Sequence, residues 1–212
     1  MQRAFGLVIP QTLEELCDPA RLALVVYDMQ VGIMRQLPNA AEYTARVIEV
    51  LEAARSGGYR VIFTRHTSMP LELSGVAQLR MAMAWQRVDD VAKVRPAFPP
   101  DAAQTQLIPE LAPRPSEAVF DKITMSAFEG TPLDIVLRDC GIVAVALVGV
   151  ALEVGIEPTA RHAADLGYRP IVVVDACGGR DQAARERSVA GLAFAGDSIL
   201  TDTATLSKTL RK

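Results

Sequence analysis

The 212-residue chain has little of what reactive or cross-linked sites are usually built from: three cysteines, two histidines, one tryptophan and 5% aromatic residues. Cys17, Cys140 and Cys177 are odd in number and show no CxxC spacing, which argues against a disulfide framework and fits a reducing compartment. Positive charge is not in excess either. The formal net charge is -3 with a pI near 5.5, and the lysines and arginines are scattered, so no basic stripe exists for nucleic acid or anionic lipid. No apolar run approaches the length of a membrane span, and the first residues, MQRAFGLVIPQTLEELCDP, contain no long apolar segment followed by a small-residue cleavage site. A cytoplasmic, soluble protein is expected. What is abundant is apolar side chain, half of the residues, enough for one sizeable core and a single domain over 1–212.

The stretch Ile142 to Leu166 organises the rest. Ile142 to Val148 is Val-rich and short, as a parallel strand covered on both faces would be; Gly149 and Gly155 interrupt it, and a helix follows from Pro158 to Leu166, closed by Gly167. Such a turn offers free backbone N–H groups at a helix N-terminus, where an anion or a developing oxyanion is favoured. An ordinary junction in a repeating βαβ chain has the same appearance. Leu22 to Asp28, LALVVYD, is a second buried run, ending in an acid. A helix over Ala41 to Ala54 stops at Gly57-Gly58, and Arg60 to Thr64 makes another strand.

From Arg65 to Pro115 the rhythm loosens around His66, Met69-Pro70, Met81, Met83 and Trp85, as in a lid, an oligomer contact or plain packing. Ala118 to Asp121 is a short strand leading to Lys122. Thr131 as N-cap and Pro132 at the first helical position open a helix that runs to Asp139. Pro170 to Asp175 is a strand, Gln182 to Ala195 a helix, and Ser198 to Thr201 a last strand before a polar C-terminal helix; residues 1–20 read as a poorly periodic arm. Strands alternating with helices predict an α/β fold: six parallel strands with helices on both faces.

Asp28, Lys122 and the Gly149 to Gly155 turn all fall on the carboxyl edge of such a sheet, where ligands gather. A carboxylate and an ammonium there can form a coupled pair that holds Asp28 ionised or assists its proton transfers. Taken singly, an acid ending a strand is often only a helix N-cap or a surface charge, and a lysine after a strand is usually solvated.

The segments VVYDMQVGI, KITMSAFEGTPLDIVLRDCGI from Lys122, and ALVGVALEVGIEPTARHAADLGYRPIVVVDAC resemble, in order and spacing, the isochorismatase-like hydrolase superfamily, also called the cysteine hydrolases. The resemblance implies a three-layer α/β/α fold with a six-stranded parallel sheet, a homodimer or homotetramer, a small-molecule substrate and no cofactor. It implies catalytic roles for Asp28 and Lys122, and a cis peptide between Val150 and Ala151 whose neighbouring N–H groups form an oxyanion hole. Substrate contacts would come from His66, Trp85, Phe128 and Glu153.

One position departs from the pattern. The amidohydrolase branch carries its nucleophilic cysteine where this chain has Gly155, so no thiol can attack from there. The histidines lack the Asp-Trp-His sequence of the metal-binding branch, and no metal is expected. Isochorismatases proper resemble this chain in the spacing GVxxxxG and cleave an enol ether with an Asp proton donor. They have Tyr-Ala-His where this chain has Ala151-Leu152-Glu153, and a Gln at the place of His66. The expectation is a hydrolase of a small carboxylated molecule that works through Asp28 and Lys122 without a cysteine. The alternatives are a catalytically silent ligand-binding or oligomeric scaffold, and an amidohydrolase using water or Cys177.

Overall fold

The computed structural model describes residues 1–212. The strands are β1 (Gln2–Ala4), β2 (Leu7–Ile9), β3 (Leu22–Tyr27), β4 (Arg60–His66), β5 (Ala118–Lys122), β6 (Ala144–Val150), β7 (Arg169–Gly178) and β8 (Ile199–Thr201). The helices are α1 (Leu13–Leu16), α2 (Val31–Met34), α3 (Ala40–Ser56), α4 (Val76–Gln86), α5 (Leu133–Asp139), α6 (Glu157–Asp165), α7 (Gln182–Ala195) and α8 (Thr203–Leu210). Strands β3 to β8 form one six-stranded sheet in the order β5-β4-β3-β6-β7-β8, every pairing parallel.

The period of two along a strand explains the layers. On β3, Leu22, Leu24 and Val26 point into one core with α3 and α8, while Ala23, Val25 and Tyr27 point into another with α5, α6 and α7. Helices thus cover both faces, and β3 and β6 are buried along their whole length, which is why both read as unbroken apolar runs. No helix is long and apolar enough to cross a membrane.

Several boundaries differ from the sequence reading. The N-terminal arm contains an antiparallel hairpin, β1–β2, turned by Phe5 and Gly6, both at positive φ, and then the short α1. Strand β4 runs on to His66 and β5 to Lys122, so both side chains sit in register at the sheet's edge rather than in loops. Helix α5 starts one residue later than expected: Pro132 is the cap position, and the Thr131 hydroxyl accepts the Leu133 N–H at 3.2 Å. Between Arg65 and Pro115 the chain forms α4, which buries none of its residues, and several single 3₁₀ turns.

Candidate active site

Strand β3 ends in a sharp change of direction. Asp28 has φ +46, a left-handed conformation that Asp tolerates better than most residues, and its carbonyl accepts the Gln30 N–H at 2.7 Å. That turn aims the carboxylate back across the sheet edge. Its Oδ1 accepts the Thr64 hydroxyl at 2.6 Å, and its Oδ2 accepts the Lys122 ammonium at 2.6 Å. Lys122 reaches it from β5 across the end of β4; its Nζ also donates to the Thr124 carbonyl at 3.1 Å and lies 4.2 Å from the centre of the Tyr27 ring. The side chains of Lys122 and Asp28 are only 1% and 6% exposed, so this is a buried ion pair with nearly every polar atom partnered. Burial pushes the Lys122 pKa down, against the pull of Asp28.

Gly155 is closed from below. A Cβ there would stand 2.1 Å from the Tyr27 hydroxyl oxygen and 2.4 and 2.5 Å from two carbons of its ring. Tyr27 is buried, and its hydroxyl donates to the Met125 carbonyl. Burial, and then the charge of Asp28, raise the phenol's pKa well above its ordinary value, so it stays protonated and is no nucleophile. The space a thiol would take is therefore filled by an inert ring.

The turn after β6 ties up part of the donors expected to be free: no backbone or side-chain acceptor meets the N–H groups of Ala151, Leu152 and Glu153, but those that follow are engaged. The Val150–Ala151 peptide is cis, the configuration the resemblance implies, and Leu152–Ile156 forms a π-turn. The N–H groups of Val154, Gly155 and Ile156 all close onto the Ala151 carbonyl, at 3.3, 3.0 and 3.2 Å, and are not available to an oxyanion. Thr159 locks the turn by donating to the Gly155 carbonyl at 2.6 Å and accepting the Ala127 N–H at 3.0 Å.

Four further residues carried a binding expectation. His66 and Trp85 line a cavity of about 300 Å³ between the sheet edge and the 67–104 segment, together with Met81, Arg95 and Phe98. Phe128 does not line it: the ring packs in the core against Tyr168 and His162, at centroid distances of 5.5 and 5.6 Å. Glu153 turns away too, its Oε1 accepting the Arg180 N–H at 3.1 Å and its Oε2 pressed against Gly179. Cys177 pairs in register with Gly149 but is fully buried, with its thiol 3.4 Å from the Leu147 carbonyl and its pKa pushed far up by burial.

Residues 22–205 match the family model described as the isochorismatase domain. The chain belongs to the isochorismatase family. An uncharacterized family member, YwoC of Bacillus subtilis, is 40% identical over 71 residues, 34% of this chain and 38% of that protein. The ureidoacrylate amidohydrolase RutB of Pantoea ananatis is 29% identical over 176 residues, covering 74% of this chain and 69% of the relative. Among solved structures, N-carbamoylsarcosine amidase from Thermoplasma acidophilum superposes with a TM-score of 0.71 at 26% identity, covering 86% of this chain and 96% of that one.

Three residues packed around Asp28, Lys122 and His66 escaped the sequence reading. Tyr27 and Thr64 look like ordinary core positions of apolar strands. Gln30, fully buried, holds β4 in place: its Oε1 accepts the His66 N–H at 2.7 Å, and its Nε2 donates to the carbonyls of His66 and Thr105 at 2.9 and 2.8 Å. The signal for Gln30 was available, since a polar amide three residues after a buried strand needs partners if the chain stays in the core.

Proposed function

We propose that this protein is a hydrolase of a small carboxylated molecule that works without a cysteine nucleophile, with Asp28 exchanging a proton with the substrate and Lys122 as its charge partner. The observation that carries this reading is the buried Asp28–Lys122 contact of 2.6 Å beside a Gly155 whose Cβ space is taken by Tyr27. A pair so deeply buried costs desolvation energy that apolar residues of the same volume would avoid, which is weak support for stability and stronger support for chemistry. The lining of the cavity favours a carboxylate with an apolar body: it contains Arg95 and no acid, with Trp85, Met81, Leu79 and Phe98 around it.

For an enol ether, the Lys122 ammonium passes its proton to the Asp28 carboxylate, which delivers it to the terminal vinyl carbon, whose π pair forms the new C–H bond, and water adds to the oxocarbenium carbon. One water proton leaves with the departing alcohol and the other returns through Asp28 to Lys122. A second reading, water-driven cleavage of an amide or ureide, draws support from the amidohydrolase and amidase names of two relatives. A screen of the purified protein against enol ethers, amides and ureides separates the two. Turnover should be lost in Asp28→Asn, which keeps the side chain's size but can neither give nor take the proton, a loss of about 100 to 10,000-fold. An unchanged rate in that variant would sink the site assignment, and no turnover of any substrate would favour a silent ligand-binding scaffold.

A further inference from the structure

We propose that His66 is the cavity's own proton-transfer group, the base that takes a proton from the attacking water. This rests on the hydrolase reading above and adds a catalytic residue to it. Side chains at i and i+2 of a strand share a face, so His66 stands on the side from which Thr64 meets Asp28, and it lies in register with Lys122. Gln30 holds its backbone from both sides, while neither ring nitrogen has a hydrogen-bonding partner in the chain. The ring lines the cavity, steadied edge-on by Phe98 at a centroid distance of 6.0 Å and an interplanar angle of 86°. Asp28 and Lys122 do not themselves line that cavity; His66 is where their site meets it.

No other side chain there can do the same work near neutral pH. Arg95, the only charged residue of the lining, gives its guanidinium to the carbonyls of Ala92 and Val94, both at 2.8 Å, and an arginine is no base. His162, the second histidine, is engaged through Nδ1 with the Ser126 hydroxyl at 2.9 Å. In the step itself, the water oxygen forms its bond to the electron-poor substrate carbon as one O–H proton passes to His66. The imidazolium then gives that proton to the departing oxygen or nitrogen, which leaves with the electron pair of the broken bond, and the ring ends neutral.

The groups facing His66 are Lys122 from β5 and Asp28 from the end of β3, with Arg95 across the cavity. Burial first, then the Lys122 charge, push its pKa below the ordinary histidine value, against Asp28, so the ring is neutral at pH 7 and ready to accept a proton. The test uses the substrate that emerges from the screen. His66→Gln should lower kcat about 100-fold or more while KM changes little. The wild-type rate should fall on acidification as the ring protonates, and that acid limb should disappear in the variant. Diethyl pyrocarbonate provides a check that needs no variant of His66: it should inactivate the native enzyme and His162→Gln alike, and substrate should protect. Turnover that dies with Asp28→Asn but survives both His66→Gln and the reagent overturns the His66 assignment alone. Absence of turnover with every substrate overturns the hydrolase reading and this assignment with it.

Discussion

At the residue scale the decisive contact is between Tyr27 and Gly155. Any side chain at 155 must displace a ring that is fixed at three points, by burial, by its bond to Met125 and by the Lys122 ammonium above it. Gly155→Ala is therefore expected to destabilise the fold by about 1–3 kcal/mol, the usual cost of overpacking a well-filled core. Tyr27→Val, which opens the space, should absorb most of that cost in the double variant. Denaturant melts of the four proteins give the coupling energy directly, and additivity within about 0.5 kcal/mol would show that the two residues do not compete for space. The sequence made half of this visible. Gly155 stood out because the family pattern places a thiol there, but nothing in LALVVYD separates Tyr27 from its apolar neighbours, since its role depends on which residue meets it from the turn after β6. Asp28 and Lys122 were legible for the opposite reason: a charge that ends a buried strand has few places to go.

At the scale of elements, apolar runs and glycine stops located all six strands of the main sheet, and the strand ends are where the reading fell short. Strands β4, β5 and β7 continue into His66, Lys122 and Gly178 because neighbouring strands and Gln30 supply partners for backbone that the side chains alone would not mark as strand. The register of β7 slips between its pairings with Leu147 and Gly149, and arginines take up the bulge: Arg46 donates to the Asp175 carbonyl at 2.9 Å and Arg185 to those of Cys177 and Val174. A similar clamp ties α3 to the approach to β5. Arg55 and Glu117 form a two-bond ion pair at 2.7 and 2.8 Å, with side chains 6% and 5% exposed, and Arg55 also donates to the Leu111 and Ala112 carbonyls. Removing one partner of a buried pair strands the other, so Arg55→Ala should cost about 3–5 kcal/mol in a denaturant melt. Burial raises the Glu117 pKa, but the hydrogen bonds and charges of Arg55 and Arg114 outweigh it and leave the pKa below the ordinary glutamate value. A carboxylate depressed in the folded state adds stability above its unfolded pKa, and that stability is lost as pH falls through the folded one. Stability measured from pH 6 downward should thus fall less steeply in Glu117→Gln than in the wild type.

At the scale of the whole molecule, parallel strands sort the reactive groups by edge. Asp28, His66 and Lys122 all lie at the carboxyl ends of their strands. Cys17 precedes β3 and Cys140 precedes β6, so both thiols lie toward the amino edge, about 20 Å away for strands of six or seven residues. Burial, with Glu14 nearby, pushes the Cys17 pKa up to about 11, which keeps it a poor nucleophile at neutral pH. Cys177 sits nearer the site's edge, but its thiol is enclosed in the core shared by Tyr27 and Leu147, with no exposed atom for a reagent to meet. Iodoacetamide should therefore modify Cys140 first, Cys17 more slowly and Cys177 only on unfolding, and leave any hydrolytic rate unchanged. Mass spectrometry of the alkylated protein, paired with an activity assay on the same sample, tests both halves of this expectation. Inactivation that substrate prevents, traced to Cys177 and matched by a dead Cys177→Ser variant, would mean that the core opens around this thiol during turnover. The reaction would then run through a cysteine after all.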